Sequence, residues 1–217
     1  MKLLLLLISL GVFFFLSKML VNQAKQFLLE HAGPSLTNFQ IYSVKAVFIP
    51  ISYVLTIEAV RGSFSYWGAG KIIGLLAWGI PMVLLDMRNY WLPLRFTSGF
   101  WVSGLLFSLL PENSITFTEA AVGSGGMFVV LYVLYLLSKF FRDGEEGFGL
   151  GDVHLIAGLC AWLPWSQASL LSGYAFLFLF FVMWLKKDRY QPYAPWLFAL
   201  LSGIAVYSPK LLISGVV

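Results

Sequence analysis

Charge is scarce in this chain. Of its 217 residues only 11% are Asp, Glu, Lys or Arg, whereas 59% are hydrophobic. A soluble domain of this length needs far more polar surface, so the composition specifies a polytopic membrane protein. Cysteine is nearly absent. Cys160 stands alone, which excludes a disulfide framework and a cysteine-ligated zinc site; it reads as a small apolar residue packed in a helix rather than a reactive thiol. No polar stretch is long enough to build a second core, so residues 1–217 read as a single membrane-embedded domain. Internal repeats and low-complexity segments are missing as well. The net charge of +4 reports orientation in a membrane protein and gives no sign of a nucleic-acid partner.

Long apolar runs are what the chain has in quantity. Spans of about 17–25 apolar residues fall at 3–22, 45–60, 69–86, 97–111, 118–141, 150–166, 168–185 and 195–214. They predict an all-α bundle of about eight transmembrane helices, in which the second and fourth spans are short and the second contains Pro50. Lys2 followed by the run Leu3 to Leu16 has the look of a signal peptide. No small-residue cleavage site precedes Lys18, however, and the run continues to Val21, so a retained first helix is expected. Basic residues then set the orientation. With the N-terminus outside, the inner links hold Lys25, Lys45, Arg88, Arg95, Lys139, Arg142, Lys186, Lys187 and Arg189. The outer side keeps Lys2, Arg61, Lys71 and Lys210, and the expectation is N-out, C-out.

On that topology the links 86–96, 142–149 and 186–194 share the cytoplasmic side, and the chemically suggestive residues cluster there. Asp86 ends the run "KIIGLLAWGIPMVLLD" and Asp152 begins "DVHLIAGLCAWL". A carboxylate in hydrocarbon costs about 2.5–3.5 kcal/mol on insertion scales. Either aspartate could be an interfacial cap or a charge snorkelling to water. Together they also suit acid/base chemistry: paired carboxyls share a proton, so one activates a water while the other protonates the carbonyl oxygen or leaving amine. Gly147, Gly149 and Gly151 wrap Asp152. Glycine permits positive φ or close backbone approach, which is what a peptide lying beside a carboxylate would need. Nothing in the sequence itself brings Asp86 to Asp152. An alternative from another class is a proton-coupled transporter or channel, in which intramembrane acids mark an ion path.

Three segments together resemble the type IV prepilin peptidases, membrane aspartic peptidases of the GxGD type. "LLDMRNYWLPLRFTSGFWVSGLL" resembles their first aspartate region, and "EEGFGLGDVHLIAGLCAWL" the second, Glu-Gly-x-Gly-x-Gly-Asp-x-Lys-Leu. "QPYAPWLFALLSGI" resembles the Pro-Phe-Gly-Pro-Phe element that opens their last helix. The resemblance covers about residues 81–205. It implies Asp86 and Asp152 as the catalytic pair, with Gly149 and Gly151 as the motif glycines. It further implies cleavage of a short basic leader from prepilins or pilin-like secretion or conjugation subunits, at the cytoplasmic face of a bacterial inner membrane. No cofactor and no metal are implied for this short form, and the partners are a prepilin or pseudopilin and membrane lipid, with the oligomeric state open.

The departures from the family pattern are specific. Leu94 stands where an aspartate often follows Leu-Pro, and His154 stands where the pattern has lysine. His154 is thus a candidate for positioning the leader, or a polar side chain satisfied at the interface. His31 has no evident partner and reads as solvated. The cysteine-rich cytoplasmic insert of longer members is absent; "RGSFSYWGAGKI" resembles one of its pairs only faintly. That puts methyl transfer to the new N-terminus in doubt and favours a peptidase alone. A non-catalytic pilus-assembly partner that kept the fold is the remaining alternative. Arg88, Arg95, Lys186, Lys187 and Arg189 read as cytoplasmic anchors, Asp143, Glu145 and Glu146 as a solvated loop able to attract a basic leader. Trp91, Trp101 and Trp162 read as packing and interface anchors.

Overall fold

The computed structural model describes residues 2–110, 113–141, 149–187 and 191–214. Among these residues there are nine helices and no strand. They are α1 (Lys2–Glu30), α2 (Asn38–Arg61), α3 (Tyr66–Asn89), α4 (Leu94–Phe107) and α5 (Phe117–Phe141), then α6 (Leu150–Trp162), α7 (Trp165–Lys186), α8 (Ala194–Tyr207) and α9 (Pro209–Ser214). Each apolar run of the sequence has become a helix, and the protein is a multi-pass helical membrane protein. Five helices, α1, α2, α3, α5 and α7, are long and apolar enough to cross a bilayer. The other three expected spans are shorter. With 14, 13 and 14 residues, α4, α6 and α8 are each about 20 Å long, against a hydrocarbon core of about 30 Å.

Local chemistry accounts for the boundaries. Thr37 and Gln40 form a reciprocal cap: the Thr37 hydroxyl accepts the Gln40 N–H at 3.2 Å, and the Gln40 side chain accepts the Thr37 N–H at 3.0 Å. Two otherwise orphaned donors are satisfied at once. That cap starts α2 at Asn38, and Gly62, at φ +87°, ends it in the left-handed conformation. The second span is therefore a full 24-residue helix that continues through Pro50, not a short one. At the other end of the chain the expected span 195–214 is divided. Pro209 has no N–H to continue a ladder, so α8 stops at Tyr207 and α9 begins anew.

Helices α3 and α6 form the centre. Every residue from Gly79 to Asp86 is buried in α3, as is every residue from Leu155 to Trp162 in α6. A helix that is apolar on all sides belongs in the interior. Helices α1, α5 and α7 surround them with exposed side chains such as Phe15, Val129 and Leu170. Helix α6 is seated on α4 through two glycines. A Cβ on Gly158 would come within 2.9 Å of Phe100, and one on Gly104 within 2.7 Å of Trp162. Trp162 is fully buried, donates from Nε1 to the Phe100 carbonyl at 2.9 Å, and stacks on the Phe100 ring at 5.6 Å. It is core packing. Cys160, beside it in α6, is buried as expected.

The helix ends sort into two groups. At one end Gln40 of α2 donates to the Met87 carbonyl at 3.5 Å, and Phe27 of α1 meets Trp91 and Phe96 edge-on at 6.3 and 5.8 Å. His31 belongs to this group and is not without a partner: its ring stacks on Phe27 at 4.1 Å and meets Trp91 at 6.4 Å. At the opposite end Lys71, buried near the start of α3, donates to Asn113 at 2.7 Å and Ser114 at 3.2 Å. The stretch 61–65 also lies there, separated from Asp86 by about 30 Å of helix. Its faint likeness to a cytoplasmic cysteine pair therefore has no counterpart in space.

Trp162→Ala should lower the stability of the detergent-solubilised protein by about 3 kcal/mol, the low end for buried Trp in soluble cores. The cavity term persists in an apolar solvent while much of the transfer term does not. Trp165→Ala, at an exposed position, should leave the unfolding midpoint unchanged; equal effects would mean that α6 is not the centre.

Candidate active site

Asp86 lies in the last turns of α3 and is only 4% exposed. A carboxylate so placed must find donors within the protein. The start of α8 supplies them. Tyr193 caps that helix, Ala194 opens it and Pro195 follows. The first N–H groups of any helix lack intrahelical acceptors and form a ready anion site. The Ala194 N–H accordingly donates to Asp86 Oδ2 at 2.7 Å, and the Tyr193 backbone supplies a second bond. On the other side of Asp86, Tyr90 adopts φ +54° and donates its N–H to the Asp86 carbonyl at 3.0 Å, ending α3.

Asp152 occupies the first turn of α6, whose cap is Gly149. Its own N–H donates to the Gly149 carbonyl at 3.0 Å, and a backbone bond from Gly149 reaches its carboxylate. Asp86 and Asp152 are close enough to interact electrostatically, and Asp152 also interacts with Tyr193. Two carboxyls distant in sequence thus share one end of the bundle, between α3, α6 and the start of α8. Tyr193 lines the same place: it is 3% exposed, stacks on Phe176 at 4.3 Å and has its hydroxyl 3.5 Å from the Ser172 carbonyl. Among the described residues no three His, Cys, Asp or Glu side chains gather as a metal ion would require.

The family model for the type IV leader peptidases matches residues 73–186, more than half of the chain and both aspartates. The chain belongs to the type IV leader peptidase family. Among its relatives is the prepilin leader peptidase/N-methyltransferase of Aeromonas hydrophila, 32% identical over 148 residues, which are 64% of this chain and 50% of that protein. The protein of the same name from Pectobacterium carotovorum subsp. carotovorum is 29% identical over 163 residues, 70% of this chain and 58% of that one. The type 4 prepilin-like proteins leader peptide-processing enzyme of Escherichia coli O78:H11 is 31% identical over 99 residues, 46% and 36% of the two chains. The chain spans about half the length of the first two of these curated relatives. No solved structure matches it significantly.

For this leader peptidase family member the structure shows what lies against two of the motif glycines, Gly149 and Gly151. Neither needs positive φ: Gly149 has φ −74°, and Gly62 is the only described glycine in the left-handed region. Close approach does occur, but the chain itself makes it. A Cβ on Gly151 would lie 2.5 Å from the Leu92 Cβ and 2.8 Å from the Leu92 carbonyl oxygen, so Gly151 seats α6 against the link between α3 and α4. A Cβ on Gly149 would lie 3.0 Å from Asp152 Oδ2. His154 is not brought to the pair. Two residues on, it stands about 200° round the helix from Asp152, with its ring 5.0 Å from Phe128 and 6.3 Å from Trp101. Its Nδ1 is 2.9 Å from the Leu150 carbonyl. Leu94 is exposed at the start of α4. Arg142, Asp143, Gly144, Glu145, Glu146, Gly147 and Arg189 lie outside the described residues.

Gly151→Ala should lower the unfolding midpoint of the solubilised protein, because the atom it meets is a backbone carbonyl that cannot swing aside. Gly203→Ala, with open space around it, should leave the midpoint unchanged or raise it slightly. Equal tolerance of both would remove the Leu92 contact as the reason for the glycine.

Proposed function

We propose that this chain is a membrane-embedded aspartic endopeptidase that removes the leader from type IV prepilins or pilin-like secretion or conjugation subunits. The cut is made at the cytoplasmic face of the bacterial inner membrane. The observation that carries this reading is the placement of Asp86 and Asp152 at the same end of the bundle, close enough to interact electrostatically. Family membership and the names of the relatives supply the substrate class. The excess of basic residues on that end supplies the side of the membrane.

In the reaction one carboxylate takes a proton from a water as it attacks the scissile carbonyl. The other carboxylic acid donates its proton to the carbonyl oxygen; as the C–N bond breaks, the proton taken from the water passes to the leaving amine and the diol returns one proton to the second carboxylate. No covalent intermediate forms. The Ala194 and Tyr193 amides hold Asp86 in place, and Gly149 holds Asp152, so neither carboxyl must reorganise as charge develops. Methyl transfer is not part of the proposal. The chain has one cysteine, buried in α6, whereas the longer family members are expected to carry a cysteine-rich insert. A proton-coupled transporter fits less well: such a protein carries its acids near the membrane midplane, whereas these sit at helix termini.

Asp86→Asn and Asp152→Asn should each reduce leader removal from a co-expressed prepilin by about a hundredfold or more, with normal membrane insertion. Near-normal processing by either variant would take that residue out of the mechanism. Cleavage should persist in EDTA. Incubation of purified protein with S-adenosylmethionine and cleaved pilin should add no methyl mass to the pilin, and a methyl gain dependent on this protein would refute the peptidase-only reading.

A further inference from the structure

An apolar cavity of about 210 Å³ lies between α2, α3 and α8. Its walls include Val44 and Val47 of α2, Ile80, Val83 and Met87 of α3, and Ala199 of α8. Val47, Met87 and Ala199 are exposed, so the cavity opens on the outside of the bundle between α2 and α8. From Leu76 to Met87 it follows α3 for about 16 Å, three turns of helix. Its Met87 end lies next to Asp86 along the chain: Met87 follows Asp86, and Pro195, another wall residue, follows the Ala194 whose N–H holds Asp86.

We infer that this groove docks one face of an apolar helix, the segment of the membrane-inserted substrate that follows the bond to be cut. The inference rests on the leader-peptidase reading and names where that substrate lies. Continuity selects the occupant. A groove that runs along α3 to the turn that carries Asp86 receives a helix whose end emerges beside that carboxyl. A basic leader would lose its hydration among Val, Ile and Met side chains and gain no partner there. The leader therefore stays on the polar side, and the apolar continuation takes the groove, read by side chains spaced at i, i+3, i+4 and i+7. The mutual positioning shortens the search of the scissile bond for the attacking water.

A photoreactive phenylalanine analogue placed at Ala199 tests this in the full-length protein, with Asp152→Asn present to keep the substrate uncut. Irradiation with an inserted prepilin should yield an adduct within its apolar segment. The same group at Leu170, exposed on α7, should yield none. Adducts to lipid alone, to the leader, or equally from both positions would overturn the inference. In the otherwise unaltered enzyme, Ala199→Trp should raise KM for the inserted prepilin by about tenfold or more. It should leave cleavage of a soluble peptide that spans the bond but lacks the apolar segment unchanged. Equal loss on both substrates would mean a folding defect and contradict docking. Failure of the unaltered protein to cleave any prepilin would strike the leader-peptidase reading itself.

Discussion

The hydrogen bond from the Ala194 N–H to Asp86, 2.7 Å long, is the constraint around which the site end of the molecule is arranged. A carboxylate with 4% exposure at the end of an apolar helix costs several kcal/mol unless it is satisfied. An exposure that small leaves little of the carboxylate for bulk water to solvate. A helix N-terminus can satisfy it, because its leading amides have no other acceptor. The requirement fixes where α8 begins, and α8 in turn brings Tyr193 to Asp152 and Pro195 to the edge of the apolar groove.

The second aspartate is positioned from the opposite direction. Helix α6 is held along its length by α4, with Trp162 and Phe100 interlocked through a hydrogen bond and ring contact. Its start is held by Leu92, whose backbone occupies the space a side chain on Gly151 would take. The link that presents Leu92 is itself steadied from α1, through Phe27 and His31 against Trp91. Helix α1 lies outside the segment that defines the family match, yet it supports the same end of the bundle. The two carboxyls thus come to the same end of the bundle because two short helices, α6 and α8, start at the level where α3 stops.

Much of this was legible in the sequence, for identifiable reasons. A run of apolar residues states that a segment avoids water, so all eight runs became helices and both aspartates fell at helix ends. The run does not state whether its apolar faces meet lipid or other helices, so the short, interior character of α6 was hidden. Pro50 looked like a weakness in α2, but a capped helix packed in the bundle absorbs one missing N–H. Of the glycines before Asp152, Gly151 signalled a close approach, and the atoms that make it within the chain belong to Leu92, remote in sequence. Tyr193 and Ala194 were missed as site residues because they act through backbone amides; Pro195, which marks a helix start, was the available signal. His154 was a candidate because it stands where the family pattern has lysine, and the helical turn from Asp152 sets its ring beside Phe128 and Trp101.

The account stands on the two carboxyls being neighbours in the membrane-embedded protein. The direct measurement is cross-linking of Asp86→Cys with Asp152→Cys in a Cys160→Ala background, oxidised in native membranes and read by mass spectrometry of the joined peptides. Rapid formation of the 86–152 disulfide is the predicted result, with no comparable bond when Asp86→Cys is paired with His154→Cys. Efficient joining of 86 to 154, and none of 86 to 152, would contradict the shared site.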